Sequence, residues 1–104
     1  MANLFDSLPD ACANEVFTDL LARPGVRIER IVSQGQVTPD DAPFVQDVEE
    51  WVVVLSGGAR IRLEGQAEVA LRPGDYLTIP ARTRHWVTWT DPDSATVWLA
   101  VHLG

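Results

Sequence analysis

The apolar residues of this chain fall into short runs with a repeat of two, broken by turn residues. Val26 to Val32 sets Val26, Ile28 and Arg30 opposite Arg27, Glu29 and Ile31. Ala59 to Glu64 turns Ala59, Ile61 and Leu63 inward and Arg60 and Arg62 to water. Alternation of this kind predicts half-buried strands. Glu68–Leu71, Tyr76–Ile79, His85–Thr90 and Ala95–Leu103 read the same way. Between them stand Glu64-Gly65-Gln66, Arg72-Pro73-Gly74-Asp75 and Asp91-Pro92-Asp93-Ser94, all turn-forming sequences. The longest apolar run, Trp51 to Leu55, is β-branched and aromatic-rich and leads to Gly57-Gly58. It predicts a strand buried on both faces. Glu50, Val52 and Val54 share one face of it, and Trp51, Val53 and Leu55 the other. Glu50 therefore carries a carboxylate to the rim of a core, where leaving it without a partner is costly.

One segment has another period. Asn14 to Ala22 is apolar at positions 16, 17, 20 and 21, a helical stripe. Asp10 or Asn14 can cap it, Glu15 suits the positive end of its dipole, and Arg23-Pro24-Gly25 stops it. The expectation is a lead-in and short helix over residues 1–25, then an antiparallel β-sandwich or barrel over residues 26–104.

Composition narrows the function. A chain of 104 residues makes one domain with a real core. The single cysteine, Cys12, excludes an internal disulfide framework and suits a reducing compartment. A net charge of −7 repels phosphate backbones, so nucleic acid is excluded as a partner. No apolar run spans a membrane, and no basic segment followed by an apolar stretch opens the chain. A cytoplasmic protein acting on a small molecule is the expectation. No serine or cysteine lies beside a base, and no phosphate-binding glycine loop is present.

Two spacings carry a resemblance. Glu50 followed after six residues by Gly57, and Gly74 followed after five by Pro80 and then by His85, resemble the two motifs of the cupin superfamily. The stretch Leu71-Arg72-Pro73-Gly74-Asp75-Tyr76-Leu77-Thr78-Ile79-Pro80-Ala81 resembles the approach to the second-motif histidine. The resemblance covers about Ile28 to Leu103 and implies an all-β double-stranded β-helix, or jelly roll, with a pocket inside. It implies one divalent transition metal (Fe, Mn, Ni or Zn), held by histidines and a glutamate. Carried over by position, Glu50 matches the glutamate and His85 the second-motif histidine. The first motif's histidine positions fall on Phe44 and Gln46, Arg82 stands for a glycine, and Trp89 for an asparagine. Phe44 ligates nothing and Gln46 offers a weak neutral amide.

The candidate site is therefore Glu50 and His85 as catalytic residues, and Gln46, Glu50 and His85 as metal ligands. Phe44, Gln46 and Trp89 would contact the substrate. Trp89 enters because strict alternation sets it on the face of His85. Glu50 and His85 read equally as an acid–base pair, as metal ligands, or as a structural hydrogen bond between buried groups. His102 is expected at the surface or an interface, because Val97, Leu99, Val101 and Leu103 make the better core face of its strand. Arg82 and Arg84 either draw an anionic substrate or pair with surface carboxylates. Three function classes stay open: an enzyme acting on a small polar metabolite, a non-catalytic binding or sensing cupin with a degenerate metal site, and a structural domain. The apolar face of Trp51, Val53 and Leu55 needs cover, which predicts a homodimer.

Overall fold

The computed structural model describes all 104 residues and is all-β. Its strands are β1 (Val16–Arg23), β2 (Val26–Ser33), β3 (Glu49–Ser56), β4 (Ala59–Leu63), β5 (Val69–Leu71), β6 (Tyr76–Ile79), β7 (His85–Thr90) and β8 (Thr96–Leu103). They form a five-stranded sheet, β1-β2-β8-β3-β6, facing a three-stranded sheet, β5-β4-β7. All pairings are antiparallel. No helix is long and apolar enough to cross a membrane.

The helix expected at Asn14–Ala22 is absent, and Val16–Arg23 is a strand instead. Val16, Phe17 and Thr18 are β-branched or aromatic and favour a pleated surface. A helix of this length has little stability of its own, whereas β1 pairs along β2 from Val16↔Val32 to Arg23↔Val26. The misleading spacing comes from a bulge. Leu20 is unpaired between Asp19 and Leu21, so the alternation slips by one residue. Apolar residues at 16, 17, 20 and 21 then imitate a helical stripe. Phe17 aligns with Ile31 on the inner face, and Val16 and Leu21 align with Val32 and Ile28 on the outer.

The core fills the space between the sheets. Ile31, Val52, Val54, Trp98, Ala100 and Ile79 come from the larger sheet, and Ala59, Ile61 and Leu63 from β4 opposite, with Leu71 from β5. Trp98 is buried, and its indole N–H donates to Ser33 Oγ at 3.2 Å, which satisfies the polar end of a large apolar side chain. On the outer face the lead-in forms a strap. Arg30 donates to the carbonyls of Leu4 and Asp6 at 3.0 and 3.2 Å, and Gln36 donates to that of Ala11. Ala11, Val32 and Val97 are buried there.

Two glycines in left-handed turns differ in what surrounds them. A Cβ added to Gly57, at φ 82°, would lie 2.5 Å from Thr96 Oγ1 and 2.6 Å from Thr96 Cα. One added to Gly65, at φ 77°, would meet nothing within 4 Å. Gly65→Ala therefore carries only the conformational cost of about 1–2 kcal/mol. Gly57→Ala adds overpacking, which raises its cost to about 3 kcal/mol or more. Urea unfolding midpoints of the two variants check this; equal losses would contradict it.

Candidate functional site

β3 is an interior strand, paired with β8 on one edge and β6 on the other. Its orientation is fixed from both sides, so Glu50, Val52 and Val54 must face inward. Glu50 is 6% exposed and His85, at the start of β7 in the facing sheet, is 4% exposed. Glu50 Oε1 and His85 Nε2 lie 3.8 Å apart, near enough to attract but too far for a hydrogen bond. Gln46 Nε2 donates to Glu50 Oε1 at 2.7 Å. His85 Nδ1 lies 3.0 Å from the Thr83 carbonyl oxygen. A carbonyl only accepts, so Nδ1 carries the proton, and in the neutral form of the ring the lone pair is at Nε2.

The loop before β3 is tied onto the approach to His85. Phe44 and His85 exchange two backbone hydrogen bonds of 2.9 Å, and their rings stack at 5.7 Å and 26°. Arg82 donates its backbone N–H to the Gln46 carbonyl at 2.6 Å from a left-handed conformation, φ 58°. Arginine thus occupies a conformation that glycine adopts more readily, at the position where the motif carries glycine. The structure brings Phe44, Gln46, Glu50 and His85 together at one open-mouthed cavity of about 60 Å³ between the sheets.

Trp89 does not line that cavity. Arg60 pairs with Trp89 but Ile61 pairs with Val87, so a bulge at Thr88 breaks the alternation. Val87 keeps the inward place, and Trp89 lies 41% exposed with the Arg60 guanidinium 6.0 Å from its ring. Arg84 is exposed and lies 3.9 Å from Glu64, a weak surface pair.

His102 is not at the surface; it is 5% exposed. β8 is set by its register with β3, where Glu50 pairs with His102, Val52 with Ala100 and Val54 with Trp98. That places the polar parity inward and leaves Leu103, 42% exposed, on the outer parity. His102 Nε2 bonds Glu29 Oε1 at 2.9 Å, and Arg27 donates to Glu29 Oε2 at 2.9 Å. His102 Nδ1 is buried with no partner.

Two further carboxylates line the cavity, Glu29 and Glu15. Glu29 was detectable as a charged residue sharing the parity of Ile31 on β2. Glu15 lay hidden in the segment read as a helix. The Ser33 hydroxyl, which accepts from Trp98, donates to Glu15. Burial pushes the Glu15 carboxyl above its ordinary range; the Ser33 hydrogen bond opposes this, and the nearby Glu29 charge adds to it.

The residues do not fit a tightly held transition metal. Phe44 has no donor atom, and the Gln46 amide is directed at Glu50. Glu50 and His85 remain as strong donors, where catalytic sites of this kind take three protein ligands. No group of three or more His, Cys, Asp or Glu is placed to hold a metal ion.

The Glu15 shift has a sign that can be checked. A carboxyl whose folded pKa is raised destabilises the fold when ionised, so its contribution is lost as pH rises from its unfolded value through the folded one. Glu15→Gln keeps an acceptor for Ser33 and removes the charge. At about pH 7 it is expected to be more stable than the parent, with the gap closing near pH 4. Thermal melts at both values test this; a variant less stable at neutral pH would contradict it.

Comparison with known proteins follows the same lines. The crystal structure of a putative mannose-6-phosphate isomerase from Ralstonia eutropha JMP134 superposes with a TM-score of 0.94 at 47% identity, over 99% of this chain and 96% of that one. A cupin superfamily protein from Desulfitobacterium hafniense DCB-2 gives 0.76 at 18% identity, over 92% and 83% of the two chains. An RmlC-like cupin with a double-stranded β-helix from Methanocaldococcus jannaschii gives 0.71 at 16%, over 92% and 85%. These last two bear on the fold alone. The search of curated proteins finds no match. The cupin domain model matches residues 30–102, from the middle of β2 through both motifs to His102, and the chain belongs to the cupin family.

Proposed function

We propose that this cupin binds a small polar molecule in the cavity between its sheets, against Glu50 and His85, with Gln46 and Phe44 completing the contact. One observation carries this reading. His85 is 4% exposed, lines the cavity, and has no hydrogen-bond partner on Nε2. A ring nitrogen left unpaired and open to a cavity, on a side chain otherwise buried, is a binding feature, because most buried polar groups are paired. With Glu50 at 3.8 Å, the imidazole can take up a proton and the carboxylate can stabilise the resulting charge. Such a pair suits proton transfer on a bound metabolite, as isomerisation requires, and the Ralstonia relative is described as a putative isomerase. The Nδ1–carbonyl bond favours a second reading, since ligating histidines are commonly fixed this way. In that reading Glu50, His85 and Gln46 hold one divalent metal. A cytoplasmic location fits the single free cysteine.

The two readings separate on one preparation. Protein purified without added metal is expected to hold far less than one equivalent of Fe, Mn, Ni or Zn. In a thermal-shift screen of small polar metabolites it is expected to show stabilisation that His85→Ala and Glu50→Ala both lose. Stoichiometric metal, absent from both variants, would establish the metal reading instead. No stabilisation and no metal would leave only a structural domain.

A homodimer through the outer face of the larger sheet belongs to this proposal. Trp51, its ring tilted at 41° to that of Tyr76 with centroids 5.5 Å apart, shares that face with Leu99, Val101 and Leu103. Tyr76 is 65% exposed there, while the lead-in strap is anchored at Arg30. Apolar patches of this kind on soluble proteins mark partner surfaces. Light scattering is expected to give twice the chain's 11.5 kDa, and Trp51→Glu to give the monomer mass with β-sheet circular dichroism intact. A parent that scatters as a monomer would contradict the proposal.

A further inference from the structure

The hydrogen-bonding groups of the cavity are unbalanced. Glu15, Glu29, Gln46, Glu50 and His85 supply its polar lining, and no lysine or arginine joins them. Glu29 is satisfied by Arg27 and His102. The others are not. Glu50 receives one bond, on Oε1, and Glu15 one bond, on Oε2. His85 Nε2 receives none, although the side chain is only 5% exposed. The one amide among them, Gln46, spends one of its two N–H donors on Glu50. Arg27, the nearby guanidinium, is held by Asp19 and Glu29. The cavity therefore offers free acceptors on Glu15, Glu50 and His85 against a single remaining amide N–H, with no lysine or arginine.

Such a lining is completed by a ligand that brings donors and positive charge. An ammonium group has three N–H donors and no acceptor, the complement of this set. Charge-assisted bonds to carboxylates are the stronger kind. Phe17 and Phe44 line the same cavity and are 49% and 38% exposed, which sets their rings at its mouth. An aromatic face attracts an organic cation. The net charge of −7 draws cations toward the chain and repels anions. A phosphate group would meet two incompletely paired carboxylates and no lysine or arginine to hold it.

Resting on the pocket reading above, we infer that the ligand of this cavity is a small organic molecule carrying a primary ammonium, and that phosphate esters are excluded. The description of the Ralstonia relative names a phosphorylated sugar; for this chain the acceptor-rich lining favours the opposite charge.

The test is a titration of the whole, isotopically labelled chain, kept metal-free by a chelator and followed by amide resonances around the cavity. Propanolamine and butanol are the probes, since they differ only in an ammonium replacing a methyl. Inorganic phosphate is the third. Propanolamine is expected to shift resonances of Gln46, Glu50 and His85 and to bind at least about tenfold tighter than butanol. Phosphate is expected to shift none. The preference is expected to fall several-fold in Glu50→Gln and in Glu15→Gln. The second variant is at a less buried residue and keeps the test valid should the first misfold. Butanol or phosphate binding as tightly as propanolamine would overturn the ammonium assignment and leave the pocket reading standing. Silence from all the probes would overturn the assignment too, and the metabolite screen then decides the pocket reading separately.

Discussion

Buried carboxylates govern this structure. Glu50 and Glu29 face inward from β3 and β2 with 6% and 7% exposure, and a charge so placed must be paired or hydrogen-bonded. Each has a partner outside its own strand. Glu29 draws in Arg27 and His102, which binds the end of β8 to the middle of β2. Glu50 draws in Gln46, which fixes the loop before β3 over the cavity. The same loop is held to His85 through Phe44 and to Arg82 through the Gln46 carbonyl. Removing one partner from such a pair strands the other, at a cost of several kcal/mol by analogy with buried ion pairs (~3–5). The geometry of the site and the integrity of this end of the sandwich therefore have a common cause.

The inner surface divides along the strands. Val52 and Val54 of β3 lie beside Ala100 and Trp98 of β8 on one inner face, and these meet Ile61 and Leu63 of β4 in the apolar core. Glu50 and His102, at the start of β3 and near the end of β8, form the polar end with His85. Antiparallel pairing puts the beginnings of some strands beside the ends of others. A few polar residues at strand termini thus collect at one mouth without interrupting the core. The apolar end supplies most of the stability through burial. The polar end is where backbone and side-chain atoms are left free to meet a ligand.

Much of this was legible in the sequence wherever the period of two holds. β3, its inward Glu50, the turn at Gly57 and the approach to His85 are carried by local pattern and by two motif spacings. Gln46 followed from counting back along the same chain. The failures have two physical sources. Bulges at Leu20 and Thr88 insert one residue into the alternation. The first made β1 look helical, and the second sent Trp89 outward and left Val87 in its place. No local signal marks either, because a bulge is a property of the paired strand. The other source is competition between faces. β8 has an apolar parity that reads as core, yet its register with β3 turns His102 inward and Leu103 outward. That outer parity is apolar for another reason, since it belongs to the face proposed to pair with a second copy.

The central claim is that His85 is held with its proton on Nδ1 and an open lone pair on Nε2 facing Glu50 and the cavity. The nitrogen-15 shifts of the imidazole report this directly in metal-free protein, at about pH 8, above the ordinary range of imidazole titration. The expected spectrum has a protonated, pyrrole-like Nδ1, in accord with the Thr83 carbonyl at 3.0 Å, and a pyridine-like Nε2. A proton on Nε2, donated to Glu50, would close the acceptor on which the binding site is built and contradict the account.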